Sequence, residues 1–187
     1  MLKNIIERIG PYRLELRPAD FTTLVRSIVY QQLSGKAAAT IFGRLEKAVR
    51  QRLAPRAVLR LTEPEMRALG LSTQKSAYIR DLAERSASGS IDFASLPALT
   101  DQEIIDRLTA VKGVGVWTAQ MFLIFALGRP DVLPTADLGI RSAMKKQYQL
   151  AEPPKPAEME RIGAPWRPYS SVASWYLWRS LDNQAML

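Results

Sequence analysis

The chain has 187 residues, with 26 Lys and Arg against 18 Asp and Glu and a formal charge of +8. With 47% hydrophobic and 24% charged residues it has the make-up of one globular domain or two small lobes, which excludes disordered, collagen-like and coiled-coil classes. Neither Cys nor His occurs, so disulfide scaffolds, thiolate zinc sites, iron–sulfur clusters, thiol catalysis and an imidazole base are all excluded.

At the start, Met1-Leu-Lys-Asn-Ile-Ile-Glu-Arg8 is broken by charge too often to form the apolar core of a signal peptide. Asp20 caps a predicted helix whose apolar residues Phe21, Leu24, Val25, Ile28 and Val29 recur at helical spacing. Residues 36–49 place Ala38, Ile41, Leu45 and Val49 on one stripe. Thr62-Glu-Pro-Glu65 and Thr100-Asp-Gln-Glu103 both read as capping boxes, with helices starting just after each Thr, and Gly70 and Gly89 stand at helix ends. The longest apolar run, Met121-Phe-Leu-Ile-Phe-Ala-Leu127, falls far short of the roughly 20 residues that span a bilayer. Glu152-Pro-Pro-Lys-Pro156 is a stiff connection, and Ser170 or Ser171 opens a last helix through Trp175, Trp178 and Leu181. No alternating pattern lasts long enough for a sheet, and no repeat is present. The expected fold is all-α and the expected setting soluble and cytoplasmic, with no membrane partner. The excess of basic residues points to a polyanion.

The most informative stretch is Leu108-Thr-Ala-Val-Lys-Gly-Val-Gly-Val-Trp-Thr-Ala119. One helix ends near Ala110, a tight Lys112-Gly-Val-Gly115 turn follows, and a second helix begins near Val116. Glycines let backbone approach a ligand closely, and the free N–H groups of the second helix suit a phosphate. The same spacing also fits an ordinary αα-turn with a glycine cap. About twenty residues on, Leu133-Pro-Thr-Ala-Asp-Leu-Gly-Ile140 puts Asp137 at a helix N-cap, where dipole and N–H groups favour a charged carboxylate. By itself this fits a simple cap, worth about 1 kcal/mol.

Taken together, these motifs resemble the helix–hairpin–helix DNA glycosylases, in which the hairpin is followed by an apolar helix and then by an acidic residue opening the next one. Ser27-Ile-Val-Tyr-Gln-Gln-Leu-Ser-Gly-Lys-Ala-Ala38, Gly70-Leu-Ser-Thr-Gln-Lys-Ser-Ala-Tyr-Ile79 and Trp166-Arg-Pro-Tyr-Ser-Ser-Val-Ala-Ser-Trp-Tyr-Leu-Trp-Arg179 are similar to signatures of the 3-methyladenine DNA glycosylase II branch. The resemblance covers about residues 20 to 180. It implies two helical lobes with a cleft between them: residues 19–129 ending in the hairpin, and residues 1–18 with 130–187 as the second lobe. Only some twenty residues precede the first signature, so a minimal version without an N-terminal sheet domain is expected.

The implied activity is monofunctional hydrolysis of the N-glycosidic bond of alkylated purines, of the 3-methyladenine and 7-methylguanine type, in double-stranded DNA after base flipping. Such a base is already cationic and leaves without a general acid, so the lack of His is no obstacle. A carboxylate is still needed to stabilise the oxocarbenium-like sugar and orient water, and Asp137 is the candidate. Asp131, the nearest rival, reads as part of an Arg129-Pro-Asp-Val turn. In bifunctional relatives a lysine nucleophile stands two residues after the second hairpin glycine. That position here is Trp117, so no strand cleavage is expected.

By the same resemblance the base pocket is lined by Trp117 and Trp178, with Trp175, Met121 and Leu138 near; stacking on a cationic base contributes about 0.5–2 kcal/mol per aromatic. Tyr30, Trp166 and Tyr169 are expected to be mainly structural. Gln32, or else Leu33, is the side chain that would wedge into the duplex. Lys112, Gly113, Val114, Gly115 and Thr118 are the expected backbone contacts. No cofactor is needed for catalysis, although the carbonyls of Thr109, Val111 and Val114 would suit a Na+ or K+ ion. Relatives often carry Arg at Ser170 and aromatics at Leu138 and Met121. A monomer is the expected state. The alternative readings are a non-catalytic hairpin module that senses damaged DNA, which needs neither Asp137 nor paired Trp residues, and a helical protein adaptor, which leaves the +8 charge and the ordered motifs unexplained.

Overall fold

The structure, a computed structural model, describes residues 1–49 and 52–181. Among them no strand occurs, in keeping with the all-α expectation. The helices are α1 (Leu2–Ile9), α2 (Phe21–Tyr30), α3 (Gly35–Ala48), α4 (Pro55–Leu59), α5 (Glu63–Ala68), α6 (Thr73–Ala87), α7 (Asp101–Thr109), α8 (Val116–Phe125), α9 (Leu138–Tyr148), α10 (Pro156–Gly163) and α11 (Ser170–Arg179). No helix among the described residues is long and apolar enough to cross a membrane.

The helix starts follow side-chain chemistry. Asp20 accepts the Thr23 N–H at 2.9 Å. Thr62 and Thr100 each form a complete box, the hydroxyl accepting from the backbone of Glu65 or Glu103 while that carboxylate accepts the threonine N–H. Each such cap is worth about 0.5–2 kcal/mol. α3 begins one residue earlier than the sequence pattern predicts, because the Ser34 hydroxyl accepts the Ala37 N–H.

The chain divides into two compact units, one of Arg17–Phe122 and one of Met1–Leu16 with Leu123–Leu187. The division falls inside α8 and not at 129/130, where the sequence reading puts it. Ring packing explains the shift: Phe122 lies 6.0 Å from Phe93 of its own unit, whereas Phe125 lies 5.5 Å from Trp178. A helix apolar on every side gives no sequence sign of where one core stops and another begins.

In the Arg17–Phe122 unit, Leu24, Val25, Ile28 and Val29 of α2 are fully buried, and α2 packs on α3 and α6. α6 adds Ile79, Leu82 and Ala83, α4 adds Val58, and α7 adds Ile104 and Leu108. Each large aliphatic side chain buried in this way stabilises the unit by about 1.5–3 kcal/mol. In the other unit α11 is central, buried along most of its length and flanked by α1 and α9. The Tyr176 hydroxyl donates to the Gly10 carbonyl at 2.9 Å, tying the end of α1 to it.

Candidate active site

The hairpin is built from α7, residues 110–115 and α8. Val111 and Val114 are 1% and 4% exposed, so the turn is pinned by its own apolar side chains. The Val114 N–H donates to the Val111 carbonyl at 3.1 Å. Gly113 has φ +78°, and a Cβ there would stand 2.0 Å from Tyr78 Cδ2, so the turn lies directly on a tyrosine ring and accepts only glycine. Gly115 differs: its φ is not in the left-handed region, and a Cβ on it would meet nothing within 4 Å. Nothing inside the unit requires glycine at 115, which suits a surface that something outside approaches. Asp81 anchors the turn by accepting the Lys112 N–H at 2.9 Å, and it also pairs with Arg85 at 2.9 Å. Burial alone would raise the Asp81 carboxyl, but the Lys112 N–H and Arg85 outweigh it and hold the group below its usual range.

A second turn of the same unit ends α2. Gln31 closes the helix, Gln32 is exposed with φ +55°, and Leu33 is 39% exposed. Gln31 Nε2 donates to the Gly113 carbonyl at 2.9 Å, linking this turn to the hairpin. Gln32 and the hairpin residues Lys112, Gly113 and Gly115, expected to meet DNA, are all exposed. Val114, at 4% exposure, departs from that expectation in its side chain, and so does Thr118. At 6% exposure its side chain is inside the unit, and its backbone in the first turn of α8 is what remains for a ligand. Trp117 is 44% exposed and Met121 half-buried.

In the other unit Asp137 caps α9 and is 8% exposed. Its Oδ1 accepts two bonds, from the Ile140 N–H at 2.8 Å and from Trp178 Nε1 at 2.9 Å. Gly139 makes room for this pairing, since a Cβ there would come within 3.1 Å of both Asp137 Oδ1 and Trp178 Cδ1. The Trp178 ring is tilted 32° against Phe125. Two readings from sequence need correction here. Trp175 is 2% exposed, its ring held edge-on by Tyr12 at 5.2 Å and Tyr176 at 4.9 Å, so it packs the core of its own unit, and Trp178 at 6% is buried nearly as far. Tyr169, expected to be structural, is 61% exposed, because it stands just ahead of α11, outside the packing of that helix. Leu138, the first residue of α9, is 72% exposed.

Asp131 has a different job from Asp137. It accepts both the Ser170 hydroxyl and the Ser170 N–H, the latter at 3.2 Å, and pairs with Arg167 at 3.2 Å. Asp131 thus supplies the cap at the start of α11, and the Ser170 side chain is spent on it. The sequence reading of a plain turn missed this, since the partners are 39 residues apart. Phe125 was missed as well; its apolar run gave no sign of which ring it meets.

Residues 25–168 match the HhH-GPD superfamily of base excision DNA repair proteins. The chain belongs to this superfamily. Among its relatives, the Schizosaccharomyces pombe DNA-3-methyladenine glycosylase 1 is 33% identical over 184 residues, covering 95% of this chain and 81% of that protein. A Bacillus subtilis relative is 32% identical over 188 residues, and this chain spans 66% of its length. Two solved structures share the fold closely. A Bacillus halodurans DNA-3-methyladenine glycosidase superposes with a TM-score of 0.88 at 40% identity, covering 96% of this chain and 83% of that one. A Schizosaccharomyces pombe 3-methyladenine DNA glycosylase in complex with abasic DNA gives 0.84 at 32% identity, covering 99% and 93%.

Proposed function

We propose that this HhH-GPD protein is a monofunctional DNA glycosylase of base excision repair that hydrolyses the N-glycosidic bond of alkylated purines in duplex DNA and leaves an abasic site. The observation that carries the reading is Asp137, a carboxylate fixed at the start of α9 by the Ile140 N–H and the Trp178 indole. Superfamily membership and the likeness to 3-methyladenine glycosylases, one of them bound to abasic DNA, support it.

The chemistry follows from charge. A purine alkylated at ring N3 or N7 is cationic while bound to the sugar, and when its bond to C1′ breaks the electron pair neutralises the base, so no acid is required. The sugar becomes an oxocarbenium-like cation. Asp137 stabilises that charge, orients water towards C1′ and takes the proton that water gives up. Trp117 occupies the place of a Schiff-base lysine and forms no such adduct, so the strand stays whole. By resemblance to the family, Trp178 and Leu138 in one unit, and Trp117 and Met121 in the other, are each assigned to contact with the flipped base, and Gln32 or Leu33 to the gap it leaves. The hairpin, with Lys112, Gly113, Val114, Gly115 and the backbone of Thr118, receives the phosphates. The hairpin carbonyls of Thr109, Val111 and Val114 would supply a hard oxygen set for a Na+ or K+ ion, the Val111 carbonyl, already bonded to the Val114 N–H, having a second lone pair to offer. The working form is a monomer.

The test is to incubate the protein with dimethyl sulfate-treated duplex and separate free bases by chromatography. Release of 3-methyladenine, with strands that break only after alkali, supports the reading. Duplex binding without any base release returns Asp137 to the role of a helix cap, and breakage without alkali overturns the monofunctional assignment.

A further inference from the structure

The hairpin and the 31–33 turn are separate in sequence, yet one helix carries the parts that hold both. Three side chains at i, i+3 and i+6 of α6, Lys75, Tyr78 and Asp81, lie along one stripe. The Lys75 ammonium donates to the carbonyls of Val29, in the last turn of α2, at 2.7 Å and of Gln31, its C-cap, at 2.6 Å. Tyr78 lies under Gly113. Asp81 holds the Lys112 N–H. Gln31 then closes the circuit through its amide to the Gly113 carbonyl.

We infer that Lys75 is a positioning residue for base extrusion: it clamps the end of α2 so that Gln32 is presented in a left-handed conformation at a fixed place relative to the hairpin. This rests on the glycosylase reading above, with Gln32 or Leu33 as the wedge. A lysine suits the task because an ammonium has three donors, two of which meet diverging carbonyls, and because a cation at a helix C-terminus is favoured by the helix dipole. Burial lowers the Lys75 pKa, a sign of how far the ammonium has been drawn in from solvent to reach those carbonyls. A non-glycine residue at φ +55° is held only where its surroundings fix it. Without the clamp the turn relaxes and the wedge loses its register with the phosphate contacts. The cost appears only when a stacked, paired base must be pushed out. Phosphate binding and the hydrolytic step are untouched, since neither Lys75 nor Gln31 belongs to the Asp137 segment.

The experiment compares wild type, Lys75→Met, Lys75→Arg and Gln31→Met on a duplex with one 7-methylguanine opposite cytosine and on the same lesion inside a three-base bubble. Single-turnover release, duplex affinity and amide exchange at residues 31–33 are measured. For Lys75→Met the expected result is a loss of roughly 10- to 100-fold on the paired lesion, the scale of a misplacement of about 1 Å. Bubble release and duplex affinity should stay near wild type, exchange at 31–33 should be faster, and Lys75→Arg should restore part of the rate. Gln31→Met, which cuts only the exposed bridge to Gly113, should show the same paired-over-bubble signature in weaker form and keeps the test alive if Lys75→Met does not fold. Equal losses on both substrates, or no loss on the paired lesion, overturn the inference. If wild type releases base from neither substrate the glycosylase reading fails instead, and unchanged exchange at 31–33 in Lys75→Met then refutes the clamp separately.

Discussion

The two glycines of the hairpin are alike in sequence and should behave oppositely when each is changed to alanine. At Gly113 the new methyl would lie 2.0 Å from Tyr78 Cδ2 and 2.2 Å from Cε2, on a backbone with φ +78°. The conformational part costs about 1–2 kcal/mol and forcing the ring aside about 1–3 kcal/mol. The sum is roughly 2–5 kcal/mol, which for a chain of this size lowers Tm by about 5–15 °C. At Gly115 the methyl meets nothing within 4 Å, so Tm should stay within about 1 °C of wild type. Its effect should be on DNA: a methyl on the face offered to phosphate should weaken duplex binding by about tenfold, equivalent to ~1.4 kcal/mol. Differential scanning calorimetry and a fluorescence-anisotropy titration at fixed salt measure the two effects. A Gly113→Ala protein as stable as wild type would refute the packing argument. A Gly115→Ala protein with normal affinity would refute the claim that backbone approaches this face.

Other substitutions and conditions test separate links. Trp178→Phe removes the indole donor from Asp137 and should cost about 1–3 kcal/mol in stability while slowing base release at least tenfold; unchanged release would show that the Trp178 bond does not orient the carboxylate. Asp81 titrates lower in the folded protein than it would unfolded, so the stability it lends is present in full above about pH 4 and is lost as pH falls through its folded pKa. Asp81→Asn should therefore lower Tm at neutral pH and flatten the acid limb of a Tm–pH curve, and parallel curves would contradict the role assigned to Asp81. Duplex affinity should fall about 10- to 100-fold from roughly 50 to 200 mM salt, as release of counterions from two to four phosphates requires. A flat salt response would mean that the hairpin does not bind phosphate.

What could be read in the sequence was local. Capping boxes at Thr62 and Thr100, the Asp20 and Asp137 caps and the hairpin turn are each encoded within a few residues, and the structure has each where the spacing puts it. The pairings between distant residues were not legible. Trp178 meets Asp137 across 41 residues, Ser170 meets Asp131 across 39, and Lys75 reaches Gln31 across 44. Periodicity says which face of a helix is buried but not which neighbour it meets. Trp175 and Trp178 illustrate the consequence, since both read as aromatics on the last helix. One is enclosed by Tyr12 and Tyr176, and the other reaches the carboxylate. The boundary between units was illegible for a related reason, because α8 is one unbroken apolar helix through Phe122 and Phe125.

A catalytic Asp137 and an Asp137 that only caps α9 differ in what the carboxylate charge does. Asparagine is as good a cap as aspartate and nearly the same shape, so Asp137→Asn separates the two roles. Single-turnover release of base from methylated duplex should fall at least about 100-fold in the variant, with duplex affinity and Tm close to wild type. Release at the wild-type rate by a folded, DNA-binding Asp137→Asn protein would mean that Asp137 is a helix cap alone.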